Sequence, residues 1–118
     1  MSLTLTTRLN GDVTVIDASG RITLGDATGQ LRDVVHKEAE KNTKILLNLG
    51  DVSYIDSAGL GEMLGSFTSV KNRGGDLKLL SVQKRIKDLL QITRLYTIFE
   101  TFDDEATAVA SFGKSASA

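Results

Sequence analysis

The chain predicts a single α/β domain built on a mixed sheet, and three observations carry that prediction. Two stretches of alternating apolar and polar residues flank Asn10-Gly11, the strongest two-residue signal for an antiparallel hairpin. Apolar residues then switch to helical spacing from Ala27 to Ala39. A continuous apolar run, Ile45-Leu46-Leu47-Asn48-Leu49, follows before helical spacing returns. Strands alternating with helices in this way favour β-α-β units with right-handed crossovers. An N-terminal antiparallel hairpin, β-α-β units and about four helices are therefore expected.

The elements follow in order. Leu3, Leu5 and Leu9 alternate in a first strand, and Val13 to Ala18 alternate in its hairpin partner. After Gly20-Arg21-Ile22, the residues Ala27, Leu31, Val34, Val35 and Ala39 line one face of a helix over Asp26 to Lys41, with Asp33 and Lys37 paired on the other. A buried strand is expected over Lys44 to Leu49, with Asp51 ending it in a turn. Leu60, Met63, Leu64, Phe67 and Val70 recur at helical spacing, and Gly74-Gly75 supplies a C-terminal cap. Leu77 to Leu80 is the next strand, Ile86, Leu89, Leu90 and Thr93 mark a third helix, and Ile98 to Phe102 a last short strand. Asp103-Asp104-Glu105 is the acidic first turn of a fourth helix. The domain is expected over 1–113, with a small polar flexible tail at 114–118.

Composition removes several classes of function. At 118 residues and 41% hydrophobic content there is room for one core. The net charge of -1 gives no electrostatic footprint for nucleic acid or an anionic membrane. There are no cysteines, so no disulfide or thiolate chemistry. No apolar run approaches the ~18 residues a membrane span needs, and the N-terminus has no apolar signal core. A cytoplasmic protein without membrane insertion or direct nucleic-acid contact is expected.

Candidate chemistry concentrates at Asp56-Ser57-Ala58-Gly59-Leu60-Gly61, where an apolar strand gives way to an apolar-faced helix. Ser57 falls at or beside a helix start, whose unpaired N–H groups and partial positive charge tolerate an anion, including a phosphate on that serine. A hydrolase nucleophile elbow needs glycine two residues to each side of the serine, and position 55 is isoleucine. The only histidine, His36, precedes the serine and stands between Arg32 and Glu40 on a solvated helix face. No enzymatic activity is expected. The glycines match neither the dinucleotide nor the nucleoside triphosphate fingerprint. Asp51 and Asp56 lack a third ligand at metal-binding spacing, so no metal or cofactor is expected, and Asp56 or Ser57 caps the helix instead. Ala58, Gly61 and Gly65 share a small-residue face suited to close contact. The aromatics Tyr54, Phe67, Tyr96, Phe99 and Phe102 read as core and edge fillers. Lys71, Arg73, Lys84, Arg85 and Lys87 read as a solvated face.

The string Asp51-Val52-Ser53-Tyr54-Ile55-Asp56-Ser57-Ala58-Gly59-Leu60-Gly61 resembles the signature of STAS domains, the family of bacterial anti-sigma factor antagonists, and the order of elements from Leu3 to about Phe112 fits as well. The resemblance implies a partner-switching regulator of transcription. Its unphosphorylated form binds an anti-sigma factor that is also a serine/threonine kinase and so frees the sigma factor. Phosphorylation of the signature serine, here Ser57, breaks that binding, and a phosphatase reverses it. The implied partner surface comprises Thr23, Asp56, Ser57, Ala58, Gly59, Leu60, Gly61 and Met63. Many members carry an acid where this chain has Thr23, in Gly20-Arg21-Ile22-Thr23. Two readings stay open there: Asp26 substitutes for the acid, or Thr23 is a second phosphoacceptor. Two rival roles stay open for the whole chain, a STAS subunit of a larger signalling scaffold or transporter complex, and a small-ligand or nucleotide-binding module.

Overall fold

The structure, a computed structural model, describes residues 3–116, with side chains described to residue 113. Its elements are β1 (Leu3–Asn10), β2 (Val13–Ile22), α1 (Asp26–Lys41), β3 (Lys44–Ile55), α2 (Ser57–Asn72), β4 (Asp76–Leu80), α3 (Lys84–Ile92), a short 3-10 turn (Leu95–Thr97), β5 (Thr101–Phe102) and α4 (Glu105–Ala116). The strands lie in the order β1-β2-β3-β4-β5 in one mixed sheet. The hairpin pair is antiparallel and every later pair parallel, as the alternation of strands and helices predicts. Of the tail expected at 114–118, the backbone to Ala116 continues α4, and residues 117 and 118 lie outside the described residues.

The helix over Asp26 to Lys41 is observed with those bounds, burying Ala27, Leu31, Val35 and Ala39. Its outer face differs from expectation: Arg32 reaches across to Glu62 on α2 (2.7 Å) and Glu38 pairs with Lys41, while Asp33 and Lys37 form no ion pair with each other. α2 ends in a Schellman arrangement, with the Gly74 N–H on the Lys71 carbonyl (2.9 Å), the Gly75 N–H on the Val70 carbonyl (3.0 Å) and Gly74 left-handed at φ 82°.

Three expectations are corrected. β3 does not stop at Leu49, and Asp51 does not turn the chain; the strand runs on to Ile55, with Asp51 paired to Ser19, Val52 to Gly20 and Tyr54 to Arg21. Two register shifts between β2 and β3 insert extra residues on β3, and such bulges bend a strand and re-aim its end. The last strand is only Thr101–Phe102, because the chain before it coils through the 3-10 turn and buries Phe99 edge-on against Phe67, with ring centroids 5.3 Å apart. Leu9 does not join the core but stays exposed near the hairpin end of the edge strand.

The sheet is covered on both faces. Leu31, Val35, Leu60, Met63, Val70, Ile86 and Leu90 from α1, α2 and α3 bury one face together with Ile16, Ile45, Leu47, Leu77 and Leu79. Ala108 and Phe112 of α4 cover Val13, Val15, Leu46 and Leu80 on the other. Burial of this kind contributes about 25 cal/mol per Å² of apolar surface. It fixes the end of β3 against the start of α2, where the signature lies.

Candidate functional site

Asp56 is the hinge residue of the site. Its backbone is extended (φ -92°, ψ -178°), so it stands as the N-cap of α2, and its carboxylate accepts the Gly59 N–H at 2.8 Å. The second carboxylate oxygen accepts the Leu24 N–H at 3.0 Å, tying the loop after β2 to the helix start. The Asp56 N–H in turn donates to the Ile22 carbonyl (3.3 Å). These N–H donors, Leu24 first and Gly59 second, hold the Asp56 carboxyl below the ordinary carboxylate range. The cap is therefore a fixed negative charge.

Ser57 is the first residue of α2 and is exposed. Of the other residues expected at a partner surface, Gly61 is exposed, whereas Thr23, Asp56 and Ala58 are half-buried. Gly59, Leu60 and Met63 are buried, Met63 with only 1% of its surface exposed. Met63 therefore supports the site from beneath and does not line it. Close approach falls on Gly59, and not on the Ala58, Gly61 and Gly65 face: a Cβ at Gly59 would collide with the Ile22 carbonyl oxygen and come within 2.9 Å of the Ile55 side chain, while Gly61 has nothing within 4 Å. The same glycine that lets α2 lie against the loop also leaves its N–H open to Asp56.

Beside Ser57 opens a cleft of about 430 Å³, walled by Tyr54, Asp56, Ser57 and Leu60 on one side and by Arg85 and Leu89 of α3 on the other. Sequence reasoning took Tyr54 for a core or edge filler and Arg85 for part of a solvated face, gave neither a place in the site, and passed over Leu24. The Arg21 guanidinium stacks on the Tyr54 ring, 4.9 Å from its centroid. That contact follows from the bulged register, which no local pattern shows. Leu24 has 79% of its surface exposed beside the Asp56 cap; a large apolar residue just before a helix whose periodic face excludes it was its one available signal. Among the described residues, no group of three or more histidine or carboxylate side chains is placed to hold a metal, and no helix is long and apolar enough to cross a membrane.

The comparisons with known proteins agree with this geometry. A family model described as the STAS domain matches residues 4–108. The anti-sigma-B factor antagonist of Bacillus subtilis (strain 168) is 34% identical over 100 residues, covering 85% of this chain and 91% of that protein. The crystal structure of a Thermotoga maritima protein assigned as an anti-sigma factor antagonist superposes with a TM-score of 0.83 at 24% identity, over 92% of this chain and 93% of that one. The Bacillus cell fate determinant SpoIIAA in its phosphorylated form gives a TM-score of 0.70 at 21% identity, over 92% and 98% of the two chains. At those identities the solved structures establish the fold. Signature, fold and family model coincide over nearly the whole length, and the chain belongs to the STAS domain family.

Proposed function

We propose that this chain is a cytoplasmic anti-sigma factor antagonist, a binding switch with no catalytic activity of its own. Its unphosphorylated surface binds an anti-sigma factor serine/threonine kinase and releases the sigma factor. Phosphorylation of Ser57 breaks the complex, and a phosphatase restores it. The observation that carries the reading is the position of Ser57, exposed at the first residue of α2 beside the fixed charge of Asp56 and an open cleft. Similarity to an anti-sigma-B factor antagonist over most of both chains supports the partner class.

The energetics favour release. A phosphate adds about -1.5 to -2 charges next to a carboxylate that already takes two N–H donors. The helix N-terminus offsets only ~0.3–1 kcal/mol for an exposed anion. A like-charge contact at an interface costs several kcal/mol, and about 1.4 kcal/mol is tenfold in affinity. Repulsion at the docked face therefore wins. The contact surface comprises exposed Ser57 and Gly61 with the edges of Thr23, Asp56 and Ala58, shaped from below by Gly59, Leu60 and Met63. Thr23, in the loop that Asp56 holds, is a second phosphoacceptor or a plain contact.

The test is a binding titration of the purified kinase from the same genome against S57A and S57E. S57A should bind as the unmodified chain does, and S57E should bind at least about tenfold more weakly. Equal binding by both variants would sink the charge switch, and in a paired pull-down from native cell extract, retrieval of one large assembly by both variants would point to a scaffold subunit.

A further inference from the structure

Arg85 is the one cation on the wall of the Ser57 cleft. Its neighbours on α3 are engaged: Lys84 pairs with Asp88 at 3.3 Å and Lys87 with Asp103 at 3.5 Å. Arg85 forms no ion pair among the described residues. Arg21 does not line the cleft and lies over the Tyr54 ring. Across the cleft, one of the donors that the start of α2 would offer an anion is occupied, since the Gly59 N–H serves Asp56. A phosphate on Ser57 is thus repelled on its Asp56 side and faces an arginine without a carboxylate partner.

We propose that Arg85 is the internal receptor for the phosphate of phosphorylated Ser57, binding it in the cleft that both residues line. The inference rests on Ser57 being the phosphoacceptor, and it adds a second consequence to that reading. Guanidinium and phosphate match in planar, bidentate geometry, which a lysine does not reproduce. The cleft, at about 430 Å³, has room for a phosphate on Ser57 and for the Arg85 side chain that reaches it. Phosphorylation then engages Arg85 as well as adding charge at Ser57, and the two effects are separable by substituting Arg85.

The experiment places phosphoserine at position 57 during synthesis of the full chain, so that no kinase is needed, and follows the phosphate by phosphorus NMR across a pH titration. The charged groups lining the cleft are Asp56, which raises the second ionisation of the phosphate, and Arg85, which lowers it. With Arg85 present, that ionisation should fall roughly one unit below its value in R85A. R85K should recover part of the shift, because it keeps the charge and loses the fork. The Arg85 side-chain N–H signal should become protected from exchange only in the phosphorylated chain. Coincident titration curves for the intact chain and R85A would overturn the proposal. A failure of the underlying reading shows elsewhere: phosphosite mapping of the chain from its own cells would find no phosphate on Ser57, whatever the titration gives.

Discussion

Gly59 and Gly61 sit two residues apart at the start of one helix and answer to opposite constraints. A methyl group at Gly59 meets the Ile22 carbonyl and the Ile55 side chain, whereas one at Gly61 meets nothing within 4 Å. G59A should lose about 1–3 kcal/mol, the usual range for overpacking, and G61A should gain about 0.5–1 kcal/mol by removing a helical glycine. Urea unfolding of the two variants checks both signs. Helical spacing shows which small residues share a face but not which face meets the sheet, which is why the Gly61 and Gly65 stripe looked like the contact. Asp56 separates capping from charge in the same way. D56A removes the acceptor for Gly59 N–H and Leu24 N–H and should lower the melting temperature at neutral pH, while D56N, which keeps one acceptor for the Gly59 N–H cap but sets its NH2 against the Leu24 N–H, should lower it by less than D56A. Because the Asp56 carboxyl titrates below its ordinary value in the folded chain, its contribution is present above the unfolded value and fades as pH falls through the folded one. D56N should not show that acid-side loss. Asp56 and Ser57 were legible because the change from strand to helix and the signature fall on them. Leu24 and Arg85 were not, because only the tertiary fold brings them to the same place.

Between elements, the firmest polar tie joins the hairpin to α4. Arg8 on β1 donates to both oxygens of Glu105 at the start of α4 (2.7 and 2.8 Å) and to Asp17 on β2 (2.7 Å), Asn10 donates to Glu105 (2.7 Å), and Asn48 on β3 donates to Asp17 (2.8 Å). Arg8 first and Asn10 second hold the Glu105 carboxyl down to about 2, against an ordinary 4.5. Arg8 likewise lowers Asp17. Both folded values lie below the unfolded ones, so the network stabilises fully above about pH 4.5 and loses its contribution as pH falls toward about 2. E105Q should therefore be less stable than the unmodified chain at pH 7, and the gap between their urea midpoints should close on going to pH 3 and below. A gap independent of pH would mean that Glu105 acts through packing. The sequence showed Glu105 only as an acid in a first turn, since its partners lie at the far end of the chain. α1 was legible to its ends, because five apolar residues at helical spacing left no other period. β3 was legible only to Leu49, since Gly50, Asp51 and Ser53 look like a turn locally and become strand by pairing with Ser19 and Gly20 through a bulged register.

At the scale of the whole molecule, the sheet is sealed by unequal layers, three helices on one face and α4 on the other, and Lys78 stands in the thinner one. Leu77-Lys78-Leu79-Leu80 looks like a strand with one polar residue turned to solvent, yet Lys78 keeps 1% of its surface exposed. α4 covers that face, and its apolar residues Ala108 and Phe112 are too sparse to announce the cover from sequence. The Lys78 stem fills the apolar layer, and its ammonium lies over the Phe112 ring at 4.8 Å, donates to the Ser111 hydroxyl at 2.9 Å and faces Glu100 at 3.2 Å. Such side chains bury the hydrocarbon and carry the charge to a polar rim. Of the carboxylates that face the ammonium, Glu100 is largely exposed, and Asp76, at 4.0 Å, keeps Lys71 at 3.8 Å and the Leu77 N–H when the ammonium is removed, so neither is left buried and unpaired, the condition under which breaking an ion pair is most damaging. The stem should therefore matter more than the charge. K78A should lose about 2–5 kcal/mol, as deletion of a buried aliphatic chain does, and K78M, which keeps the stem, at most about 1.5 kcal/mol. Urea unfolding read alongside hydrogen exchange in α4 separates the outcomes. Equal losses in K78A and K78M, with α4 exchanging freely in both, would mean that the polar end of Lys78 and not its stem holds the fourth helix to the sheet.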